Sequence, residues 1–331
     1  VAFPNNQEDI VSIMDWANDN NTAVIPYGGG SSVCGGVETD VGDSFAGVIS
    51  LDLRNLNKVL EVDKDSRAAL IQAGILGPDL EEELKKHNLT LRHFPQSFEH
   101  STLGGWIATR SGGHFATLYT HIDDFVESTT TVTPSGILES RRLPGSGAGP
   151  SPDRLMIGSE GILGVITQAW MRLQERPRFR ASSPILFDDY SDALNATRLI
   201  SQSGLFPANC RLLDADEAFF NGAADGTKHL LIVSFESADH EMDVWLSRAL
   251  EIASECGGQY ELPKEKKEDA HKTGASGTWR NSFIRAPYYR EAAVRRGIIQ
   301  DTFETSVTWD KGYDFIERLK VKAEEAIKKI S

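Results

Sequence analysis

The sequence predicts an α+β chain of two domains, and three observations carry that prediction. The opening segment alternates helix and strand, the strands that follow read as a largely antiparallel sheet, and a polar, basic stretch near residue 177 precedes a fresh strand, helix, strand pattern. A length of 331 residues with 40% of them apolar suits roughly two domains of ~100–200 residues, each with its own core.

Element by element, Gln7 to Asn20 carries an apolar face (Ile10, Ile13, Met14, Ala17), and Ala23 to Pro26 reads as a short buried strand. Further strands are expected over Gly47 to Leu53, Leu56 to Val62 and Ala68 to Ala73, with the Asp63-Lys64-Asp65 turn between the last two. A helix from Gly77 to Lys86 begins with Pro78 near its first turn, where a missing N–H costs little. Leu89 to Gly113 is mixed and dense in small residues, which lets a helix start approach something closely. Phe125 to Val132, Ile137 to Glu139 and Ile162 to Leu173 are the antiparallel strands, one turn being marked by Pro134-Ser135-Gly136.

Gln174 to Ser183 turns polar and basic, so the expected domains are residues 1–176 and 177–331. Beyond it the sequence predicts strands at Pro184 to Phe187, Cys210 to Leu213 and Leu230 to Phe235. Helices are expected over Asp192 to Ser203, His240 to Ser254 and Lys311 to Ile330, and Pro263 to Gly274 reads as a charged, exposed loop. Basic and acidic residues alternate on the last helix, which reads as a solvated face.

Composition excludes several functions. With 34 basic against 48 acidic residues, net charge −14, the chain lacks the basic footprint of a nucleic-acid binder. Cys34, Cys210 and Cys256 are far apart, odd in number and without a CxxC pair, so neither a disulfide framework nor a structural zinc is expected and a reducing compartment is favoured. No apolar run approaches the ~20 residues of a bilayer-spanning helix, so a soluble chain is expected. Val1 falls inside a segment that already reads as folded, which makes an upstream natural start the expectation. Ser159 precedes Glu160-Gly161 without forming a GxSxG elbow, leaving hydrolase chemistry unsupported. His100, His114 and His121 form neither HxxxH nor HxH. No metal is expected there, while one of them stays open as a proton acceptor.

Gly28 to Gly36 follows a strand, as phosphate-cradling loops do. Laid on Gly28, GxGxxG puts Val33 at its third glycine, and Gly30-xxxx-Gly35 is followed by Gly36 where a P-loop needs lysine, so both dinucleotide and Walker fingerprints fail. What remains is a run of bare backbone N–H groups flanked by Ser31 and Ser32, a nest for pyrophosphate oxygens, with a flexible turn as the plain alternative. Two further bare segments, Ser101 to Gly105 and Gly158 to Ile166, favour the nest, because glycine costs backbone entropy each time.

Pro26-Tyr27-Gly28-Gly29-Gly30-Ser31-Ser32, the stretch from Pro95 to Thr102 with Gly104-Gly105-Trp106, and Ser159 to Thr167 together resemble the PCMH-type FAD-binding domain of the vanillyl-alcohol oxidase superfamily. Within it the chain is similar to the alkyldihydroxyacetonephosphate synthases and their bacterial relatives, through Ser101 to Arg110, Cys210 to Asp214 and Phe303 to Asp310. The resemblance implies an FAD-binding domain of two α/β subdomains followed by an α/β substrate (cap) domain with an antiparallel sheet. It implies that Tyr27, Gly28, Gly29, Gly30, Ser31, Ser32 and Val33 wrap the FAD pyrophosphate. Pro95, Gln96, Ser97, Glu99, Ser101, Thr102 and Gly105 would border flavin and ribityl chain, followed by Thr109, Arg110 and Ser111. Glu160, Gly161, Leu163, Gly164, Val165 and Ile166 would close over adenine and ribose. The first glycine loop has no histidine, so the flavin is expected to be non-covalent. Tyr119 precedes Thr120 where the family often has Tyr-Gly. The family's histidine-rich motif and catalytic tyrosine have no counterpart before Ser331, so the cap domain is expected to be incomplete.

Arg211 stands beside apolar Leu212 and Leu213, an expensive place for a cation unless it meets an anion. The resemblance makes it the active-site arginine that reads substrate phosphate or carboxylate; the alternative is a salt bridge to Asp214 or Asp216. Trp309 and Tyr313 read equally as pocket wall or core. The implied activity is exchange of the acyl chain of acyl-dihydroxyacetonephosphate for a fatty alcohol through an adduct at flavin N5. An FAD-linked oxidase or dehydrogenase of a 2-hydroxy acid and a catalytically incomplete FAD-binding fragment are the alternatives. The expected partner is a small, lipid-like anionic substrate, with peripheral membrane contact and a homodimer left open. The expected location is cytoplasmic, or peroxisomal in a eukaryote.

Overall fold

In the computed structural model, which describes residues 1–143, 145–261, 274–299 and 302–329, the chain divides into two units, Val1–Pro177 and Arg178–Ser331. The first begins with helix α1 (Gln7–Asp19), whose Asn6 cap accepts a hydrogen bond from the Asp9 N–H. Strands β1 (Thr22–Tyr27) and β2 (Gly47–Asp52) pair in parallel. Strands β3 (Val59–Asp63) and β4 (Ala68–Gln72), helix α2 (Gly77–Lys85), strand β5 (Leu89–Thr90), and helices α3 (Leu103–Thr109) and α4 (Ala116–Tyr119) follow. The unit ends with β6 (Val126–Thr133), β7 (Gly136–Glu139), α5 (Pro152–Met156), β8 (Val165–Arg172) and β9 (Gln174–Glu175). The main sheet is antiparallel in the order β3-β4-β8-β6-β7. Leu80 and Leu84 of α2 and Leu103, Trp106 and Ile107 of α3 share one core with Ile71 of β4 and Ile166, Ala169 and Met171 of β8.

The dense small residues of α3 serve the close approach that the sequence suggests. Gly104 N–H donates to Ala73 O at 2.7 Å, and a Cβ at Gly104 would stand 2.7 Å from the Ala73 Cβ, so a side chain there would push α3 off the end of β4.

The second unit comprises β10 (Phe179–Phe187), α6 (Tyr190–Gln202), β11 (Asn209–Leu213), α7 (Ala215–Phe220), β12 (His229–Ser237), α8 (Asp243–Glu255), α9 (Gly274–Val294) and α10 (Gly312–Ile327). Its antiparallel sheet runs β10-β12-β11. Alternate residues of β12 serve opposite faces: Leu231, Val233 and Phe235 pack with α6 and α8, while Leu230 and Ile232 pack with Ala218 of α7 and Trp279 of α9.

Several expectations are corrected. The basic stretch through Ser183 is not wholly a junction, because β10 already begins at Phe179. Its arginine lies on the exposed side of a period-two pattern, and Pro184 is tolerated because β10 is an edge strand. The strand expected from Leu56 starts at Val59, since the Leu56 N–H closes a turn onto Leu53 O at 2.8 Å. The strand expected from Ile162 starts at Val165, after Gly161 and Gly164 take positive φ. Helix α9 has no counterpart among the expected elements: its glycines and internal Pro287 dilute any helical stripe. The loop expected at Pro263 to Gly274 lies outside the described residues except for Gly274, which opens α9. No described helix is long and apolar enough to cross a membrane.

Candidate functional site

In the first unit the three glycine-rich segments converge on α3. The first leaves β1 at Tyr27 and lies directly on the second: a Cβ at Gly28 would strike Thr102 Oγ1, and one at Gly29 would strike the carbonyl oxygen of His100. Gly30 has φ +69°, and the Tyr27 phenol folds back over it. The third segment is stitched to the other end of α3, with Gly158 N–H donating to Ile107 O at 3.0 Å and Glu160 N–H to Ala108 O at 2.8 Å. It also reaches the first, since a Cβ at Gly161 would stand 3.4 Å from Pro26 Cγ and one at Gly36 would stand 3.8 Å from Glu160 Oε2.

The middle segment is held from within. Ser101 Oγ donates to Ser97 O at 2.8 Å and accepts from Trp106 Nε1 at 2.6 Å, while Thr102 Oγ1 caps α3 by accepting from Gly105 N–H. Both residues are buried, so their hydroxyls shape the loop. Pro95 is buried, Ser97 half-buried, and Gln96 and Glu99 are exposed on the rim. Thr109 spends its hydroxyl on Gly105 O at 3.0 Å. Arg110 ends α3 in a left-handed conformation and pairs with buried Asp123, which also receives Arg154. Leu163 and Gly164 are half-buried, whereas Val165 and Ile166 put their side chains into the cores, so any approach of these two to a cofactor runs through the backbone.

Sequence reasoning missed His93. Its ring is 1% exposed, lies 5.2 Å from the Trp106 ring and shares a 2.9 Å hydrogen bond with Ser111 Oγ through Nε2. Burial, reinforced by His121, lowers its pKa to about 3, so the ring is neutral. Thr120 has φ +63° and ψ −158°, a region nearly confined to glycine, at the position where the family often has one.

The residues fit FAD. Among the described residues, no N–H from Gly28 to Cys34 donates to a protein acceptor. They form a run of free donors on a loop whose glycines admit no side chain on the α3 side. A dinucleotide pyrophosphate satisfies such a run without cationic side chains.

In the second unit Arg211 of β11 lies with its guanidinium carbon 5.3 Å from the centroid of the Trp279 ring and 5.6 Å from that of Phe283. Burial pulls its pKa below the usual guanidinium value, and the carboxylates of Glu217 and Glu304 pull it back up. Glu304 belongs to the Phe303 to Asp310 motif, so two motifs far apart in sequence meet electrostatically here. Burial, then Asp214, raises the pKa of Glu217. The alternative of an Asp214 bridge fails, because Asp214 caps α7 and pairs with Lys320 at 2.8 Å. Among the described residues no carboxylate comes within ion-pair distance of Arg211. Trp309 is 41% exposed and opens a short 3-10 turn before α10.

A fold with a glycine-lined nest on α3 and a second unit presenting an arginine over aromatic rings defines a class. The chain belongs to the FAD-linked oxidases of the vanillyl-alcohol oxidase superfamily: residues 1–140 match the FAD binding domain and 176–329 the FAD linked oxidases, C-terminal domain. FAD is its cofactor. Within the superfamily it is 34% identical to alkyldihydroxyacetonephosphate synthase of Dictyostelium discoideum over 93% of this chain and 53% of that protein. It is 31% identical to the synthase of Trypanosoma brucei brucei over 93% of this chain and 53% of that protein. A solved alkyldihydroxyacetonephosphate synthase superposes with TM-score 0.73 at 32% identity, over 88% of this chain and 55% of the other. The chain thus spans about half the length of the curated relatives it matches.

Proposed function

We propose that the protein containing this chain is an FAD-dependent enzyme of ether-lipid synthesis, converting acyl-dihydroxyacetonephosphate and a fatty alcohol into alkyl-dihydroxyacetonephosphate and a fatty acid. In this reading residues 1–176 hold the cofactor and 177–331 recognise substrate. The N–H groups from Tyr27 to Val33 bind the pyrophosphate. The rim from Pro95 to Thr102 and the end of α3 at Thr109, Arg110 and Ser111 border the flavin, and Glu160 to Ile166 close over the adenosine. The absence of a histidine from Gly28 to Gly36 favours a non-covalent flavin. Bound FAD supplies an N5 atom able to accept an electron pair or a hydride, so the chain's share is binding, orientation and charge placement.

The observation that carries the reading is Arg211, a half-buried guanidinium with no carboxylate in ion-pair range among the described residues. Its planar fork suits a phosphate monoester. Trp309 is assigned to the wall for the lipid part of the substrate, and the partner is a lipid-like anionic small molecule. The test is anaerobic addition of acyl-dihydroxyacetonephosphate and hexadecanol to the FAD-loaded protein, following flavin absorbance and product mass together. Formation of the alkyl product without net bleaching is expected. Stoichiometric bleaching by a 2-hydroxy acid, with no alkyl product, would overturn the reading in favour of an oxidase or dehydrogenase.

A further inference from the structure

The aromatic pair beside Arg211 has no role in the function above. Trp279 and Phe283 are one helical turn apart on α9, on the same face, and both rings lie against the same guanidinium. Trp279 is 6% exposed and packed among Leu213, Ala218, Leu230 and Ile232, so its ring has nowhere to turn. Phe283 packs against the same cluster. Arg211 itself is fixed at Cα by its place in β11, where it pairs with Ile232 of β12. Its long side chain has many rotamers, so the direction of the guanidinium is set by what packs against it.

Two consequences follow from chemistry. A guanidinium over a π face is attracted while its N–H edge stays available, because the ring takes up the flat face of the cation and none of the in-plane donors. A carboxylate partner would occupy that edge. The nearby carboxylates, Glu217 and Glu304, act on Arg211 through space without an ion pair among the described residues. Trp279 also has a buried Nε1 with no hydrogen-bond partner. That is a cost a phenylalanine at the same place would avoid, so the size and electron density of the indole face are what the position retains.

We propose that Trp279, backed by Phe283, is a positioning residue that holds the Arg211 guanidinium with its donor edge open for the phosphate monoester of the substrate. The inference rests on the reading of Arg211 as the phosphate-binding group. Neither aromatic touches the reacting atoms; they act through Arg211. The identity of the face matters more than the volume it fills: phenylalanine at 279 keeps an aromatic platform, and leucine keeps only apolar bulk.

The test uses calorimetric titration of the FAD-loaded chain with butyryl-dihydroxyacetonephosphate, and the melting temperature of each variant measured in the same buffer. Arg211→Ala is the reference for loss of the site. Trp279→Leu is expected to weaken binding by about tenfold, in the range of a desolvated cation–π contact. Trp279→Phe should stay within about threefold of the parent although it too loses the indole N–H and some packing. The uncharged dihydroxyacetone ester should bind parent and variants alike. If Trp279→Leu melts lower yet binds the phosphate ester as the parent does, while Arg211→Ala has lost it, Trp279 is core filler and the inference is wrong. If Arg211→Ala also binds normally, the phosphate-site reading falls first and takes the inference with it. Should Trp279→Leu fail to fold, Phe283→Leu, on the less buried ring, replaces it: weakened phosphate-ester binding supports the positioning role, and parent-like binding overturns it.

Discussion

His93→Gln isolates the energetics of one buried ring. The folded protein holds His93 neutral with a pKa of about 3, against 6.5 for the free side chain, because burial and His121 both oppose its charge. Below pH 6.5 the unfolded chain takes up a proton that the folded chain refuses. The contribution is therefore intact above about pH 6.5 and lost as pH falls toward 3. At pH 5 the gap of about 1.5 units below the free value, at about 1.36 kcal/mol per unit, amounts to about 2 kcal/mol, and at pH 6 to about 0.8 kcal/mol. Glutamine can keep a hydrogen bond to Ser111 Oγ and does not titrate. Its cost at pH 7 is the ring packing against Trp106 and Phe125, whose centroids lie 5.2 Å and 6.1 Å away. Urea unfolding of parent and variant at pH 7, 6 and 5, with FAD in fixed excess, should show the parent's advantage shrinking by about 2 kcal/mol between the first and last. Parallel stability curves for the two proteins would refute the assignment of a buried, neutral His93.

Four further outcomes are expected. Gly29→Val should abolish co-purification of flavin, because its side chain collides with the His100 carbonyl where the first two glycine segments meet; normal flavin occupancy would restore the flexible-turn reading. Thr120→Gly should stabilise the protein slightly, by less than about 1 kcal/mol, since relief of a conformation costing ~1–3 kcal/mol is offset by the ~0.5–1 kcal/mol entropy of glycine and by loss of the hydroxyl's bonds to the Asp124 carboxylate and the His121 carbonyl. A lower melting temperature would contradict it. Arg211→Ala should weaken phosphate-ester binding by ~1.5–3 kcal/mol with Arg211→Lys recovering part of it, whereas a drop in melting temperature alone would mark a structural arginine. Among the cysteines, exposed Cys34 should react at once with a disulfide reagent at pH 8, and Cys210, pushed by burial up to about 11, only after denaturation.

Local signals made much of this legible in advance. Short apolar and β-branched runs between turn signals located β6, β7, β11 and β12, and the glycine segments announced a backbone that something must approach closely. The failures share a cause: each depended on what lay across from the residue. Arginines in the stretch ending at Ser183 look like a linker until β12 is seen beside β10. Pro287 and the glycines of α9 hide a helix whose place is set by packing on β12. The His93–Ser111 bond spans 18 residues and the Arg211–Trp279 contact many more, with no spacing rule to connect them. Reading Arg211 as a cation in need of an anion rested on desolvation and on the family resemblance, and the engagement of Asp214 with Lys320 removes one of the two alternative partners that the sequence offered.

The central claim is that three glycine-rich segments gathered on α3 form a cradle for FAD, with its pyrophosphate on the first of them. A crystal structure of the FAD-loaded chain tests it most directly. It should place pyrophosphate oxygens within about 3.2 Å of several N–H groups between Gly28 and Val33, with no covalent bond from protein to flavin. Flavin bound elsewhere, or a pyrophosphate held by side chains with those N–H groups left to water, would contradict the account.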